Sequence, residues 1–347
     1  MIAFEPGVAY NKEDFFDLLS RMLRTRYRYF YTSDLLTLAL CLFFSLCSFI
    51  NAGKLRLIRT WTPAAGWDRE IFYGLLFLAL TGLLLLFYRL TNRTSNWVLR
   101  FLRIFYVQLL YILFFSECII LSQLFFGSRS LDPIFFRIEQ ILFQSQPAEQ
   151  FYQFLPQNRL VTEIFFFSYF FYYALICVGL WLLFVKKEWA KAAYGLAFIT
   201  CGFYLFYVFY TFFPVQGPKY YIPELRALWY ENFNGYLFTR IMKGMFRNMN
   251  LAGAAFPSSH VAMSLVALIL NWRYNRWLAV VLLPLTLMLM ASTVYIYAHY
   301  LVDVLAGILV GILLYTVLPR LLAVLDPILR RVDKRLGSLL RLTALRG

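Results

Sequence analysis

The chain has 347 residues but only two histidines, and both lie in short polar segments at the edges of apolar runs. His260 ends the segment 257–260 (Pro-Ser-Ser-His), and His299 begins the segment 299–303 (His-Tyr-Leu-Val-Asp). An ionisable side chain is costly close to the hydrocarbon layer of a membrane, so each histidine is a candidate for chemistry.

His299 and Asp303 are four residues apart, which places them on one face of a helix. A carboxylate there can accept the proton of one ring nitrogen and leave the other nitrogen free to attack an electrophile. The same residue types also occur in a structural pair between helices, or in the proton relay of a transporter.

The first histidine segment has the features of a phosphate site. Pro257 suits the first turn of a helix, where free backbone amides and the positive end of the helix dipole attract an anion. Ser258 and Ser259 add hydroxyl donors, and His260 would point at the same anion. The alternative is an ordinary serine-capped helix.

A third segment, 214–219, ends in Lys219, and Arg226 follows seven residues later. The loop that continues to residue 256 is rich in bases, with Arg240, Lys243 and Arg247. A positive loop above a phosphate site would attract anionic lipid headgroups. Basic interfacial loops are common, so this segment gains meaning only beside the other two.

These segments must be positioned by membrane helices. Hydrophobic residues make up 61% of the chain, aromatic residues 20%, and the mean hydropathy is +0.65. This composition predicts an all-α fold, a polytopic transmembrane helical bundle. The 33 Lys and Arg residues exceed the 18 Asp and Glu, but they lie in short loops between apolar runs, which indicates topology control rather than nucleic-acid binding.

Eight apolar runs predict about eight spans in a single membrane domain. The runs lie near 34–50, 71–90, 101–126, 162–185, 191–213, 258–271, 277–297 and 300–318. We divide the chain into a cytoplasmic interfacial segment (1–33), N-terminal spans (34–126), an external interfacial loop (127–161), a catalytic core (162–318) and a basic amphipathic cytoplasmic tail (319–347). The interfacial segment is expected to contain a helix that begins near Asn11.

Basic residues divide unequally between the two sides of these spans, with 21 on the side of both termini and 12 on the other. The excess predicts cytoplasmic termini and places both histidines at the periplasmic or lumenal face. The membrane would be an inner or plasma membrane in a bacterium and an endomembrane in a eukaryote. The five cysteines lie inside apolar runs and do not have the spacing of metal ligands. We therefore expect no disulfide framework, no metal and no cofactor.

Together the three segments resemble those of the type 2 phosphatidic acid phosphatase superfamily, which comprises integral membrane lipid phosphatases and phosphotransferases. The superfamily pattern is Lys-x6-Arg-Pro, then Pro-Ser-Gly-His, then Ser-Arg-x5-His-x3-Asp. This chain has Lys219-x6-Arg226-Ala227, then Pro-Ser-Ser-His at 257–260, then Ser292-Thr293-x5-His299-x3-Asp303. The resemblance covers about 162–318 and implies a six-helix core preceded by two additional spans.

The resemblance also implies roles for individual side chains. His299 would be the nucleophile, Asp303 its orienting partner, and His260 the acid for the leaving oxygen. The phosphate-binding residues would be Lys219, Ser258, Ser259, Arg226 and Thr293. The implied partners are the bilayer and membrane lipids with phosphate headgroups.

Departures from the pattern point to one branch of the superfamily. Thr293 stands where phosphatase members have an Arg, and Ala227 and Ser259 replace a Pro and a Gly. The His-Tyr-x-x-Asp segment instead looks like that of inositol phosphorylceramide synthase and sphingomyelin synthase. The resemblance therefore implies headgroup transfer between lipids through a phosphohistidine-type intermediate. Hydrolysis of phosphatidate or a polyprenyl pyrophosphate is the alternative, and a transporter with a His–Asp relay is a more distant one.

Overall fold

The computed structural model of the chain describes residues 27, 29–58, 69–127, 129–248, 252–342 and 344–345. These residues form fourteen α-helices and no β-strand, which confirms the predicted all-α class. The helices are α1 (Thr32–Ile58), α2 (Arg69–Thr91), α3 (Trp97–Phe126), α4 (Asp132–Phe143), α5 (Pro147–Phe154), α6 (Arg159–Phe170), α7 (Tyr172–Val185), α8 (Trp189–Phe212), α9 (Pro218–Tyr221), α10 (Pro223–Glu231), α11 (Leu237–Asn248), α12 (Ser259–Tyr274), α13 (Arg276–Tyr295) and α14 (Leu301–Leu339). The helix expected near Asn11 lies outside the described residues.

Among the described residues, six helices are long and apolar enough to cross a membrane: α1, α2, α3, α8, α13 and α14. Helices α6 and α7 together make a seventh span, bent by 46° at the break between them. The remaining predicted span, 258–271, corresponds to α12, which has only 16 residues and is about 24 Å long. This is short of a hydrocarbon layer of about 30 Å, so α12 does not qualify as a full span by length.

The last helix runs across the predicted boundary between the last span and the tail. Helix α14 has 39 residues and continues through position 318 without a break, with Pro319 and Pro327 inside it. Its far end binds the N-terminal segment, because the Asp333 carboxylate accepts hydrogen bonds from the backbone amides of Tyr29 and Phe30 at 2.9 and 3.1 Å. The tail is therefore a continuation of the last span.

Helix α8 is the centre of the bundle. Its side chains are buried over most of its length, and it packs against α1, α3, α7, α12 and α14. Helices α2 and α13 lie further out and present much of their apolar surface outward. The alternating direction of the spans brings the loops before α9, α12 and α14 together at one end, which we call the motif end.

Helices α12 and α14 approach closely because α14 has glycines on the contact face. A Cβ atom on Gly307 would lie 2.7 Å from the carbonyl oxygen of Ser258, and one on Gly311 would lie 2.9 Å from that of Ala262. The small residues allow the two backbones to touch. The first turns of both helices, which adjoin the two histidines, are thereby held side by side.

Candidate active site

His299 lies in the turn between α13 and α14, and its ring is almost fully buried. Its Nδ1 atom is 2.8 Å from the carbonyl oxygen of Ala255. A carbonyl oxygen can only accept, so Nδ1 carries the proton and donates it to this bond. The tautomer is thus fixed with the lone pair on Nε2, which is the state that a nucleophilic histidine requires.

Asp303 lies behind His299 in the first turn of α14. Its Oδ2 atom accepts a hydrogen bond from the backbone amide of Tyr300 at 2.9 Å and is 3.6 Å from Nδ1 of His299. The predicted pairing of His299 with Asp303 is present, because the two side chains are close. However, the distance of 3.6 Å between Nδ1 and Oδ2 is too long for a hydrogen bond. The main orienting partner is therefore the Ala255 carbonyl, which belongs to the backbone and could not be recognised from residue types.

His260 lies in the first turn of α12 and faces His299, with the two ring centroids 5.6 Å apart. Its ring is held between Tyr169 and Tyr172, whose centroids lie at 4.8 and 4.5 Å. Its Nδ1 atom is buried without a hydrogen-bond partner among the described residues. Aromatic contacts therefore fix the ring plane, and Nδ1 has no competing hydrogen-bond partner in the described chain.

Lys219 is 1% exposed, and its Nζ atom is buried without a hydrogen-bond acceptor among the described residues. The ammonium lies over the rings of Trp229 and Phe246, with 4.3 and 3.1 Å to the centroids. Burial lowers the pKa of Lys219 well below its usual value, and the nearby charge of Arg226 lowers this pKa further. An anion bound beside Nζ would relieve both costs.

A cavity of about 520 Å³ joins these side chains. One end of the cavity is polar and is lined by Lys219, Ser259, His260 and His299. From there it extends between α3 and α7, where its walls are mainly apolar and aromatic, as far as Trp181. The site therefore combines one polar end with a long apolar arm.

Three predicted phosphate-binding residues are not at this cavity. The Ser258 side chain caps α12 by accepting a hydrogen bond from the Val261 amide at 3.4 Å. Thr293 donates its hydroxyl to the Met290 carbonyl at 2.7 Å and is fully buried in α13. Arg226 is exposed on α10 and reaches the site only through its charge.

The start of α12 is also less open to an anion than the sequence suggested. The Ser259 amide donates to the hydroxyl of Tyr210 at 3.1 Å, and the Ser258 amide donates to the carbonyl of Asp303 at 3.1 Å. The Val261 amide is occupied by the cap. A phosphate at this end would therefore depend on side chains more than on the backbone amides of α12.

Two carboxylates beside the site were missed as functional candidates. Asp132 and Glu139 of α4 are both fully buried and accept hydrogen bonds from backbone amides of the motif loops. From the sequence, this segment was placed in the external interfacial loop (127–161), and neither residue was selected. The one available signal was the presence of two acidic residues seven apart among apolar and aromatic neighbours, which puts both on one face of the helix.

A sequence model of the PAP2 superfamily matches residues 135–317, which is more than half of the chain, and the chain belongs to this superfamily. The match begins within α4 and ends within α14. Membership supports a lipid phosphatase or phosphotransferase type of enzyme in a membrane, without distinguishing the two reactions. No curated protein and no solved structure matches the chain significantly.

Proposed function

We propose that the enzyme transfers a phosphorylated headgroup from one membrane lipid to the hydroxyl of another, with His299 as the nucleophile. The observation that carries this choice is the single cation of the site: among the described residues lining the cavity, Lys219 is the sole Lys or Arg. A phosphodiester carries one negative charge, whereas a phosphomonoester near neutral pH carries almost two. One buried ammonium matches the diester.

The geometry supports a reaction in two displacements. Nε2 of His299 attacks phosphorus and forms a P–N bond, while the P–O bond to the first lipid breaks and protonated His260 gives its proton to the leaving oxygen. His260 then takes the proton of the acceptor hydroxyl, whose oxygen forms a new P–O bond as the P–N bond breaks. Nδ1 of His299 keeps its proton throughout, and Asp303 offsets the positive charge that develops on the ring.

The apolar arm of the cavity fits a lipid substrate. Phe105 and Ile112 of α3 and Ile176 of α7 contribute to its walls, and Phe203 of α8 forms part of its back. A hydrocarbon chain in this arm would keep the phosphate at the polar end, beside His260 and His299. Water would be scarce there, which favours a lipid hydroxyl as the acceptor.

The likeness to inositol phosphorylceramide synthase suggests the donor and acceptor to test first. Purified protein should be given phosphatidylinositol or phosphatidic acid as donor, with ceramide or diacylglycerol as acceptor, and the lipid products separated. We expect a new phosphodiester lipid from phosphatidylinositol. Release of inorganic phosphate from phosphatidic acid, with no headgroup transfer from any diester, would reject transfer in favour of a lipid phosphatase.

The covalent intermediate is tested by withholding the acceptor. We expect an acid-labile headgroup adduct on His299, and no turnover by His299→Ala. His260→Ala should slow the reaction by roughly 10²–10⁴-fold, as expected for loss of a general acid and base. Substantial turnover by His299→Ala would contradict the mechanism. Inhibition by vanadate, which mimics the transferred phosphoryl group, separates an enzyme from a proton relay.

We also propose that the motif end faces the periplasm or lumen, as the distribution of basic residues predicts. Ser258 is too buried for a labelling test, so exposed positions at the two ends are needed. The described structure has Arg240 exposed at the motif end and Arg335 exposed at the other, while the five native cysteines are buried. An impermeant thiol reagent outside the membrane should label Arg240→Cys and spare Arg335→Cys; the opposite pattern would reverse the topology.

A further inference from the structure

Helix α4 places two carboxylates against the loops that carry the catalytic side chains. Asp132 and Glu139 are seven residues apart, so they lie on one face of α4, about 10 Å apart along its axis. Both are fully buried, and neither forms an ion pair with a Lys or Arg of the described chain. Buried carboxylates without cations are costly, so their contacts are of interest.

Asp132 joins the Lys219 loop to the His299 loop. Its Oδ1 atom accepts hydrogen bonds from the Gly217 amide at 2.8 Å and from the Tyr300 hydroxyl at 3.1 Å. Its Oδ2 atom accepts a hydrogen bond from the Gln216 amide at 2.7 Å. One side chain thus holds the backbone two residues before Lys219 and the residue directly after His299.

Glu139 holds the start of α14. Its Oε1 atom accepts hydrogen bonds from the amides of Leu301 at 2.6 Å and Val302 at 3.4 Å. Amides in the first turn of a helix have no partner within the helix, so this carboxylate acts as a cap supplied from another element. It fixes the turn that begins two residues after His299.

The two loops also touch each other, which makes their relative position sensitive. The Lys219 amide donates to the carbonyl of Tyr297 at 3.0 Å. Gly217 has a φ of 93°, and a Cβ atom there would lie 2.5 Å from the carbonyl oxygen of Ala298. Helix α4 therefore supports two loops that are already in contact, without lining the cavity itself.

We propose that Asp132 and Glu139 are positioning residues that set the separation of Lys219 from His299 and affect the reaction only through those two side chains. Neither carboxylate lines the cavity. Their importance would come from the steep dependence of rate on geometry, since a displacement of about 1 Å can cost roughly 10²-fold.

The first test is Asp132→Asn. An asparagine has one acceptor oxygen and one donor group in place of two oxygens, so it cannot accept from both Gly217 and Gln216. We expect kcat to fall about 10²-fold with little change in KM. The assay uses whichever reaction the purified protein performs, hydrolysis or transfer, so the result does not depend on the proposed transfer.

Asp333→Asn is the matched control. Asp333 is buried and accepts hydrogen bonds from two backbone amides of a distant segment, those of Tyr29 and Phe30, but it lies at the other end of the bundle. We expect it to lower stability without lowering kcat. An equal loss of kcat in Asp333→Asn and Asp132→Asn would overturn the proposal, because any weakening of the fold would then suffice.

The decisive measurement is coupling to Lys219. If Asp132 acts by placing Lys219 and His299, then Asp132→Asn introduced into a Lys219→Met protein should cost no more than about tenfold further, which is the part transmitted through Tyr300 to His299. A full hundredfold loss in both backgrounds would overturn the proposal. Tyr300→Phe removes only the hydroxyl group that donates a hydrogen bond to Asp132. It is a milder variant, in which we expect kcat to fall about tenfold. An unchanged kcat in Tyr300→Phe would likewise count against it.

Discussion

Two clusters of buried charge lie at opposite ends of the bundle and are built differently. At the end remote from the motifs, Arg103 of α3 forms a two-pronged ion pair with Asp34 of α1, at 2.9 and 2.6 Å. Asn92 accepts a hydrogen bond from Nε of Arg103 at 3.0 Å, and Tyr106 donates to Asp34 at 3.0 Å. At the motif end, Lys219 is equally buried but its ammonium has only aromatic rings around it.

The difference in partners distinguishes a structural charge, whose partners lie within the protein, from a charge that is suited to bind a ligand. Burial of an ion is costly in both places, but at Arg103 the cost is offset within the protein. At Lys219 the described chain supplies aromatic rings but no hydrogen-bond acceptor, and the cavity that Lys219 lines has room for an anion. Burial alone does not identify a functional charge; the number of partners does.

The largest expected effect comes from breaking the satisfied cluster. Arg103→Met leaves the Asp34 carboxylate buried and unpaired, which should lower the free energy of unfolding by about 3–5 kcal/mol. Activity per folded molecule should be unchanged. Denaturation in detergent measures the loss, and the double substitution with Asp34→Leu should recover most of it. A stable Arg103→Met protein would show that the pair contributes little.

The second-largest effect is expected at Lys219, where activity should fall and stability should not. Lys219→Met removes a desolvated charge, so we expect stability to be equal or higher while kcat falls about 10²–10³-fold. Vanadate should raise the unfolding temperature of the native protein and leave that of the variant unchanged, because ligand binding stabilises only where the site is intact. Marked destabilisation by Lys219→Met would place this residue with Arg103 instead.

The third prediction concerns Glu139, which should make the stability of the folded protein depend on pH. Burial raises the pKa of Glu139 from 4.5 to about 7, with the two α14 amides opposing the shift and the charge of Asp303 adding to it. The folded protein therefore holds this proton more tightly than the unfolded chain, so the associated stability is complete below pH 4.5 and lost as the pH rises to about 7. The loss is on the order of 3 kcal/mol.

Glu139→Gln removes this titration while keeping an oxygen that can accept from Leu301. Thermal unfolding between pH 4.5 and 8 should decline for the native protein and stay nearly level for the variant. Parallel curves for the two proteins would show that Glu139 does not titrate in this range.

The smallest effect concerns Asp303, the carboxylate beside the proposed nucleophile His299. Because the Ala255 carbonyl fixes the His299 tautomer, Asp303→Asn removes a charge at 3.6 Å but leaves the tautomer in place. We expect kcat to fall about tenfold, far less than the roughly 10⁴-fold that follows when a carboxylate alone fixes the tautomer. A loss near 10⁴-fold would assign the orienting role to Asp303 after all.

The sequence predicted the parts of the site that depend on residue type and local spacing. His260, His299 and Lys219 could be selected because an ionisable group beside an apolar run is rare, and these three meet at one cavity. The apolar runs likewise located the spans, since hydropathy is a local property. The bend between α6 and α7 and the continuation of α14 depend on packing between distant segments, which local hydropathy does not encode.

The parts that could not be predicted are long-range contacts. The partner of His299 is a backbone carbonyl 44 residues away, and any residue type can supply one. Thr293 was placed by its position in a pattern, but its hydroxyl bonds to the preceding turn of α13 and never reaches the cavity. Asp132 was not selected because its contacts with Gln216 and Gly217 span more than 80 residues of chain.

The glycines of α14 give the enzyme a hidden sensitivity. The distance between His299 and His260 depends on the contact further along the two helices, where Gly307 and Gly311 let the backbone of α14 rest against α12. A single methyl group at either glycine would push α14 away from α12 and would thereby change the distance between the two histidines. A random screen for inactive enzymes that still reach the membrane should therefore recover substitutions at these glycines, although neither residue lines the cavity.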